Sequence, residues 1–192
     1  MKAPSWPILI GSTLALAIAA AGSLAYRLGA FKEVQVERRF DGPYFVVSKD
    51  HMGAYHKIAA VISEVETWAK ANGEPCSLSF GEYYDNPETV DEDRLRSRGG
   101  CVTSNDKVKA IASNGLLPAG YSTSTIDHRD ALVASFDGSP AIGPWKVYSK
   151  AMADMKTLDL ELNGPVLEIY EILSPTSGRT RYIFPVRSLR TK

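Results

Sequence analysis

Glu168 is the residue in this sequence whose type and position are best suited to chemistry. Residues 165–170 contain β-branched and aromatic types on a period of two behind a Gly-Pro turn, which predicts a β-strand. Successive strand side chains point to opposite faces, so Leu167 and Ile169 share one face while Glu168 and Tyr170 share the other. We expect the two aliphatic residues to pack on helices. Glu168 would then stand among apolar and aromatic neighbours on the face opposite the helices.

A carboxylate in such surroundings loses solvation unless a donor or a cation compensates it. Glu168 could therefore pair with a cationic ligand, or act as a general base if burial raises its pKa. The plain alternative is an open face on which Glu168 is a solvated strand residue. The other candidate ligand-binding residues are aromatic: Tyr170 beside Glu168, Tyr83 on a second predicted strand, and Trp145 at the start of a predicted helix. Each of these aromatic residues could equally serve in packing.

Composition argues against several classes of function. The 192 residues contain 22 Lys and Arg and 22 Asp and Glu, so the net charge is zero. A neutral chain lacks the excess of positive charge that is typical of nucleic-acid-binding proteins. His51, His56 and His128 do not share a helix face, so we expect no metal site and no cofactor. Cys76 and Cys101 have no metal spacing. They are expected on neighbouring strands as buried thiols, or as a disulfide if the domain faces an oxidising compartment.

An apolar segment precedes the globular part. Residues 8–26 contain no charge, and 19 helical residues rise about 28 Å, enough to cross a hydrocarbon core. We expect a single-pass anchor, with a cleaved signal peptide as the alternative. The basic residues that follow place the soluble part towards the cytoplasm: Arg27, Lys32, Arg38 and Arg39. The predicted organisation is a stub at 1–7, the transmembrane helix at 8–26, a linker at 27–32 and one domain at 33–192.

The elements that must position Glu168 recur along the domain. Strands are predicted at 34–36, 44–48, 78–84, 94–103, 131–136, 166–173 and 180–186, and helices at 53–72, 105–113 and 144–158. Two units of strand, helix, strand and strand follow from this order, at about 33–104 and 121–190, with a linker at 105–120. This predicts an α+β domain made of a duplicated βαββ unit. Its antiparallel sheet would carry helices on one face and a ligand cleft on the other.

Three separated motifs resemble those of a known superfamily. They are His-Met-Gly-Ala-Tyr at 51–55, Tyr-Tyr-Asp-Asn-Pro at 83–87 and Leu-Glu-Ile-Tyr at 167–170. In this order and spacing they resemble the GyrI-like (gyrase-inhibitor-like, SOUL/SHS2-type) small-molecule-binding superfamily. The resemblance extends over about residues 34–187. It is closest to the membrane-anchored branch typified by an endoplasmic-reticulum autophagy receptor.

The resemblance implies a duplicated βαββ sheet whose concave pocket binds small, often apolar or cationic molecules. The matching glutamate of the family contacts ligand in that pocket, and Glu168 occupies its position here. Some relatives resemble hydrolases of cyclopropane-bearing toxins, in which this glutamate and a pocket aromatic act on water. The chain stops six residues after Val186, so we expect no tail that carries an autophagy-protein motif.

Three hypotheses about function follow. The first is a membrane-anchored domain that binds a small apolar or cationic molecule around Glu168. The second is a hydrolase in which Glu168 activates water against an electrophile. The third is a membrane-tethered adaptor that recruits a protein partner through its sheet edge or loops. The lack of a dedicated nucleophile or metal set favours binding over catalysis.

Overall fold

The computed structural model describes residues 6–174 and 177–189, which form an α+β fold with one large antiparallel sheet. The helices are α1 (Trp6–Leu28), α2 (Ile58–Ala71), α3 (Asp106–Ser113) and α4 (Gly143–Thr157). The strands are β1 (Gln35–Asp41), β2 (Tyr44–Met52), β3 (Leu78–Tyr83), β4 (Arg96–Val102), β5 (Tyr121–Ile126), β6 (Arg129–Phe136), β7 (Leu160–Leu162), β8 (Val166–Ser174) and β9 (Ser177–Ser188). The predicted boundaries at residues 1–5 and 190 lie outside this description.

The strand that carries Glu168 lies at the middle of the sheet. The strand order is β1-β6-β9-β8-β3-β4-β2-β5, and β7 pairs separately with β9. Strands β8 and β3 are antiparallel neighbours, with Glu168 opposite Gly81. On its other side Glu168 is opposite Tyr182 of β9. A central position gives the glutamate backbone a hydrogen-bonded strand on each side, which fixes where its side chain begins.

The sheet curls so that its two edges approach each other. Residues 42–43 alone join β1 to β2, and residues 127–128 alone join β5 to β6. Each of these links connects strands that lie near opposite ends of the strand order. Since a two-residue link places the joined strand ends at most about 11 Å apart, both ends of the sheet must meet there. Inside the curl lies a core of fully buried side chains: Val46, Phe80, Ile126, Ala131, Val133, Leu167, Ile169 and Ile183.

Helices α2 and α4 both pack on the other face of the sheet. Ile58 and Ile62 of α2 lie over Gly99 of β4, where an added Cβ would come within 2.6 Å of Ile62. The apolar stripe of α4 joins a core with β6 and β9: Val147, Ala151 and Met155 against Leu132, Ala134, Phe136, Tyr182 and Phe184. Residues opposite one another across strands share a face. The register row Gly99, Gly81, Glu168, Tyr182, Ala134 therefore runs beneath both helices.

This arrangement corrects the predicted position of Glu168. Leu167 and Ile169 fill the inside of the curled sheet, and it is Glu168 that faces the helices. The prediction of a cleft on the face opposite the helices was wrong because it took helices as the only cover for an aliphatic strand face. A sheet that curls on itself buries that face without them.

Element boundaries also moved. Helix α2 begins at Ile58 because Gly53, at φ +120°, is followed by a short 3₁₀ turn over Tyr55–Lys57. Strands β2 and β9 are longer than predicted, and β5 and β7 were not predicted. Strand β5 was missed because Ser and Thr dominate it, as they do loops. Cys76 and Cys101 form a disulfide beside α2, which realises one of the two alternatives left open for the pair.

Candidate functional site

Glu168 is held by two tyrosine hydroxyl groups. Tyr148 of α4 donates to Oε1 at 3.1 Å, and Tyr170 of the same strand donates to Oε2 at 2.9 Å. Tyr170 lies on the helix-facing side because it follows Glu168 by two residues. Tyr148 reaches the carboxylate from the helix side of the sheet, because it directly follows Val147, a residue of the buried stripe of α4. Each carboxylate oxygen thus has one phenolic donor, and the glutamate is only 5% exposed.

A third and a fourth tyrosine extend the cluster towards α2. The hydroxyl groups of Tyr83 and Tyr170 are hydrogen-bonded at 3.0 Å. The ring of Tyr83 packs edge-on against Tyr55, with centroids 4.8 Å apart. Tyr83 has room because Gly81 lies beneath it: a Cβ there would come within 2.8 Å of the Tyr83 hydroxyl oxygen. We call Tyr55, Tyr83, Tyr148 and Tyr170 the tyrosine cluster.

The electrostatics of Glu168 are dominated by burial. Loss of hydration raises the pKa of its carboxyl group to about 7, although the hydrogen bonds from Tyr170 and Tyr148 act in the opposite direction. Among residues 6–174 and 177–189, no lysine or arginine pairs with this carboxylate or lowers its pKa. Glu168 therefore changes charge near neutral pH, and when ionised it has no cation beside it in the described part of the protein.

The surrounding tyrosines stay protonated. Burial, followed by the charge of Glu168, raises the pKa of both Tyr148 and Tyr170 well above the ordinary value of 10. The same two causes raise the pKa of Tyr83. The cluster therefore presents O–H donors and electron-rich ring faces at every physiological pH, and only the glutamate changes charge.

The structure brings together three of the four residues predicted to bind ligand. Tyr83, Tyr170 and Glu168 form one hydrogen-bonded chain. Trp145 is not part of it, because its side chain points outward from α4 and is 83% exposed. This exposure contradicts core packing, the alternative given for Trp145, and its role as a pocket wall stays a prediction. The sequence alone does not show whether an aromatic residue near a helix N-terminus lies on the buried or the exposed side of that helix.

Tyr148 is the site residue that sequence reasoning missed. Its only signal is that it neighbours the stripe of residues 143, 147, 151 and 155, which repeats every four residues and faces the core. Which flank of that stripe faces the middle of the sheet depends on strand order, and strand order is not visible in the helix sequence. The hydroxyl group of Tyr55 donates to the backbone carbonyl groups of Asp85 and Arg96.

Two surface cavities lie elsewhere. One of about 610 Å³ is lined by Tyr44, Glu74 and Lys109 among others, and one of about 480 Å³ by His51, Arg96 and Ser97 among others. One charged group in each cavity has a partner in the protein: Glu74 accepts from Thr103, and Arg96 binds Asp85. Glu168 lines neither cavity, and it is the tyrosine side chains that close over it. A ligand that reaches the carboxylate must displace part of the tyrosine cluster.

The chain is similar in sequence and shape to known proteins. The sequence model of the GyrI-like small molecule binding domain matches residues 35–187. Among solved structures, the EcmrR C-terminal domain has a TM-score of 0.61 and 16% identity, over 81% of this chain and 99% of that chain. EcmrR in its complex with DNA has a TM-score of 0.61 and 15% identity, over 95% of this chain and 70% of that chain.

A hydrolase from Listeria innocua is similar at a TM-score of 0.50 and 12% identity, over 85% of this chain and 98% of that chain. At these identities the solved structures establish a common fold and no common ligand. No curated protein matches the chain in sequence.

Proposed function

Because this chain belongs to the GyrI-like family of small-molecule-binding domains, we propose that it binds a small apolar cation against Glu168. The observation that carries the proposal is a buried carboxylate that has phenolic donors but no cation among the described residues. A cation in this place would supply the missing counter-charge. The tyrosine rings would supply apolar contact and cation–π attraction to the same ligand.

The position between two helices suits such a ligand. Helices α2 and α4 cover the row that contains Gly99, Gly81 and Glu168, and the place above Gly81 is occupied by the Tyr83 ring, which a ligand would replace. Entry requires the Tyr148 or Tyr83 side chain to rotate away from the carboxylate. That motion breaks one hydrogen bond, which costs about 1 kcal/mol, and the ligand contacts offset it.

The test is calorimetric titration of the full chain in mild detergent with benzyltrimethylammonium, whose charge is independent of pH. We expect binding by the wild type at pH 8.5 and its loss in Glu168→Gln. Glu88→Gln is the matched control, since it makes the same charge change at an exposed loop residue. Equal binding by wild type and Glu168→Gln would contradict the proposal.

The second candidate is hydrolysis of an electrophilic small molecule. It is favoured by the carboxyl pKa of about 7, which suits a general base at neutral pH. Glu168 would take a proton from a water molecule as the water oxygen bonds to a cyclopropane carbon. A strained C–C bond of the ring breaks in the same step, and the carbon that leaves with the electron pair takes up the proton from Glu168. Product formation from a cyclopropane-bearing electrophile, abolished in Glu168→Gln and retained in Glu88→Gln, would establish it. Unchanged substrate after long incubation with the wild type would exclude it for that class.

We also propose that the domain consists of two copies of a strand, helix, strand, strand unit. The units are β2, α2, β3, β4 and β6, α4, β8, β9. The support is positional, since these strands occupy equivalent places on the two sides of the β3–β8 pair. The site would then lie at the junction of the copies.

Helix α1 is proposed as a membrane anchor, as in the membrane-anchored branch of the superfamily. By length and composition it is the one helix in the described part of the chain that could cross a bilayer. None of its apolar stretch, Ile10–Leu28, is buried against the domain, so it is not a core helix. The alternative is a signal peptide, and mass spectrometry of the membrane-extracted protein distinguishes the two by the presence of residues 1–28.

The side of the membrane is a separate proposal. The charge pattern after the helix favoured the cytoplasm, but Arg38 pairs with Asp130 and Arg39 with Asp41 on the domain itself. The disulfide between Cys76 and Cys101 instead suits an oxidising compartment. We therefore propose that the domain faces the exported side. Labelling of the pair by a thiol reagent in intact cells without prior reduction would contradict this.

A further inference from the structure

The end of helix α1 is bonded directly to the second half of the domain. The Leu28 carbonyl accepts a hydrogen bond from the Ser139 amide at 2.9 Å. Gly29, at φ +84°, lies so close to Gly138 that an added Cβ would be 3.1 Å from its Cα. The apolar helix therefore does not lead into a free tether. Its last turn is fixed against the loop between β6 and α4.

Helix α4 strengthens this junction. The Lys146 ammonium donates to the Ala30 carbonyl at 2.7 Å and to the Lys32 carbonyl, and it lies 5.4 Å from the centroid of the Phe136 ring. Lys146 thus binds two backbone carbonyl groups in the segment that follows α1. The first turn of α4 is held at the level where the apolar helix ends.

Large apolar side chains are exposed at this same level. Trp145, next to Lys146, is 83% exposed, and Phe31 is 73% exposed. Tyr26, in the last turn of α1, is also exposed. Arg27 and Lys32 are exposed among them, and the charge of Lys32 contributes to lowering the pKa of nearby Asp137. Aromatic residues that project beside basic ones, at the end of an apolar helix, match the composition of a membrane–water interface.

We propose that Trp145 and Phe31, with Arg27 and Lys32, form a surface that lies in the headgroup region of the bilayer that α1 crosses. We call this set the interfacial surface. It rests on the proposed anchoring by α1, because only a membrane at the end of that helix would bring lipid to Trp145. The two aromatic side chains insert at the boundary of headgroups and acyl chains, and the two basic side chains bind lipid phosphates.

The interfacial surface also affects how ligand reaches the site. Tyr148, which binds Glu168, follows Trp145 by three residues, a rise of about 5 Å along α4. Tyr148 therefore lies about one turn of α4 from Trp145, so a ligand held at the interfacial surface would be near the tyrosine cluster.

The test uses the full chain in lipid nanodiscs, with phosphatidylcholine and phosphatidylglycerol brominated near the top of the acyl chain. The protein contains three tryptophans, Trp6, Trp68 and Trp145, and replacing two at a time by phenylalanine leaves one reporter. Trp6 reports on α1. Trp68 packs on Tyr121, with centroids 5.3 Å apart and on the side of β5, and it serves as the internal control.

We expect brominated lipid to quench the emission of Trp145, because interfacial tryptophans lie at the level of the headgroups, and to leave the emission of Trp68 unchanged. Lys146→Gln should reduce the quenching of Trp145 and leave that of Trp6 intact, because it releases the junction without affecting α1. Quenching of Trp6 without quenching of Trp145 would contradict the proposed interfacial surface and leave the proposed membrane anchor supported. If neither is quenched, the anchor fails and the interfacial surface with it.

Discussion

Replacing Glu168 by glutamine should stabilise the protein at alkaline pH and leave its stability nearly unchanged at acidic pH. The carboxyl pKa is 4.5 in an unfolded chain and about 7 in the folded protein. A raised pKa in an acid means that the folded state favours the protonated form. The associated stability is fully present below pH 4.5 and is lost as the pH rises through about 7.

The size of the effect follows from the two pKa values. At about 1.4 kcal/mol per pH unit, ionised Glu168 lowers the free energy of unfolding by about 3 kcal/mol above pH 7. The glutamine side chain does not ionise, and the Tyr148 and Tyr170 hydroxyl groups can rotate to bind its amide. The difference in free energy of unfolding between the variant and the wild type should therefore rise by about 3 kcal/mol from pH 4 to pH 8.5. For a domain of this size that is about 6–12 °C in Tm.

The assay is thermal unfolding of the full chain in mild detergent, followed by near-ultraviolet circular dichroism at half-unit pH intervals. The difference between variant and wild type isolates Glu168 from the other titrating groups. Glu88→Gln should show no pH-dependent difference, since Glu88 is exposed. A difference that is constant from pH 4 to pH 8.5 would refute the burial argument. If the wild type instead became more stable relative to the variant as the pH rose, Glu168 would have a counter-ion in the folded protein.

Three further predictions concern the elements around the site. Tyr148→Phe removes a donor to Glu168 and should raise the pKa of the Glu168 carboxyl group further. In the same titration, the pH-dependent loss of stability should then occur at higher pH than in the wild type. An unchanged midpoint pH of this loss would count against the Tyr148 hydrogen bond. Reduction of the Cys76–Cys101 disulfide should cost about 3 kcal/mol in urea unfolding, with no effect of reductant on the double serine variant; a wild type insensitive to reductant would contradict this. Gly99→Ala should cost about 1–3 kcal/mol because its Cβ meets Ile62, and Ile62→Ala in the same chain should recover part of that cost; a neutral Gly99→Ala would show that α2 moves freely.

The family could be inferred from the sequence because its motifs report local structure. Gly53 has the positive φ that a tight turn requires, and residues 167–170 form a strand with the predicted alternation. The same alternation placed Tyr170 on the face of Glu168, since strand periodicity is local. The pairing of β3 with β8 then brings Tyr83 to Tyr170 in the structure.

The side of the sheet on which the site lies could not be predicted. It depends on the curl, and the curl follows from two-residue links between strands at opposite ends of the sheet. Nothing in the composition of residues 127–128 shows that they join distant strands. The position of Tyr148 and the exposure of Trp145 have the same cause, because both depend on which flank of α4 faces the middle of the sheet.

The most direct test of a cation site at Glu168 is the pH dependence of benzyltrimethylammonium affinity, measured by calorimetry on the full chain. Because the carboxyl pKa is about 7, the account predicts tight binding at pH 8.5 and a loss of roughly tenfold or more at pH 5.5, when Glu168 is protonated. Glu168→Gln should bind weakly at both values. Equal wild-type affinity at pH 5.5 and pH 8.5, or binding that survives in Glu168→Gln, would contradict it.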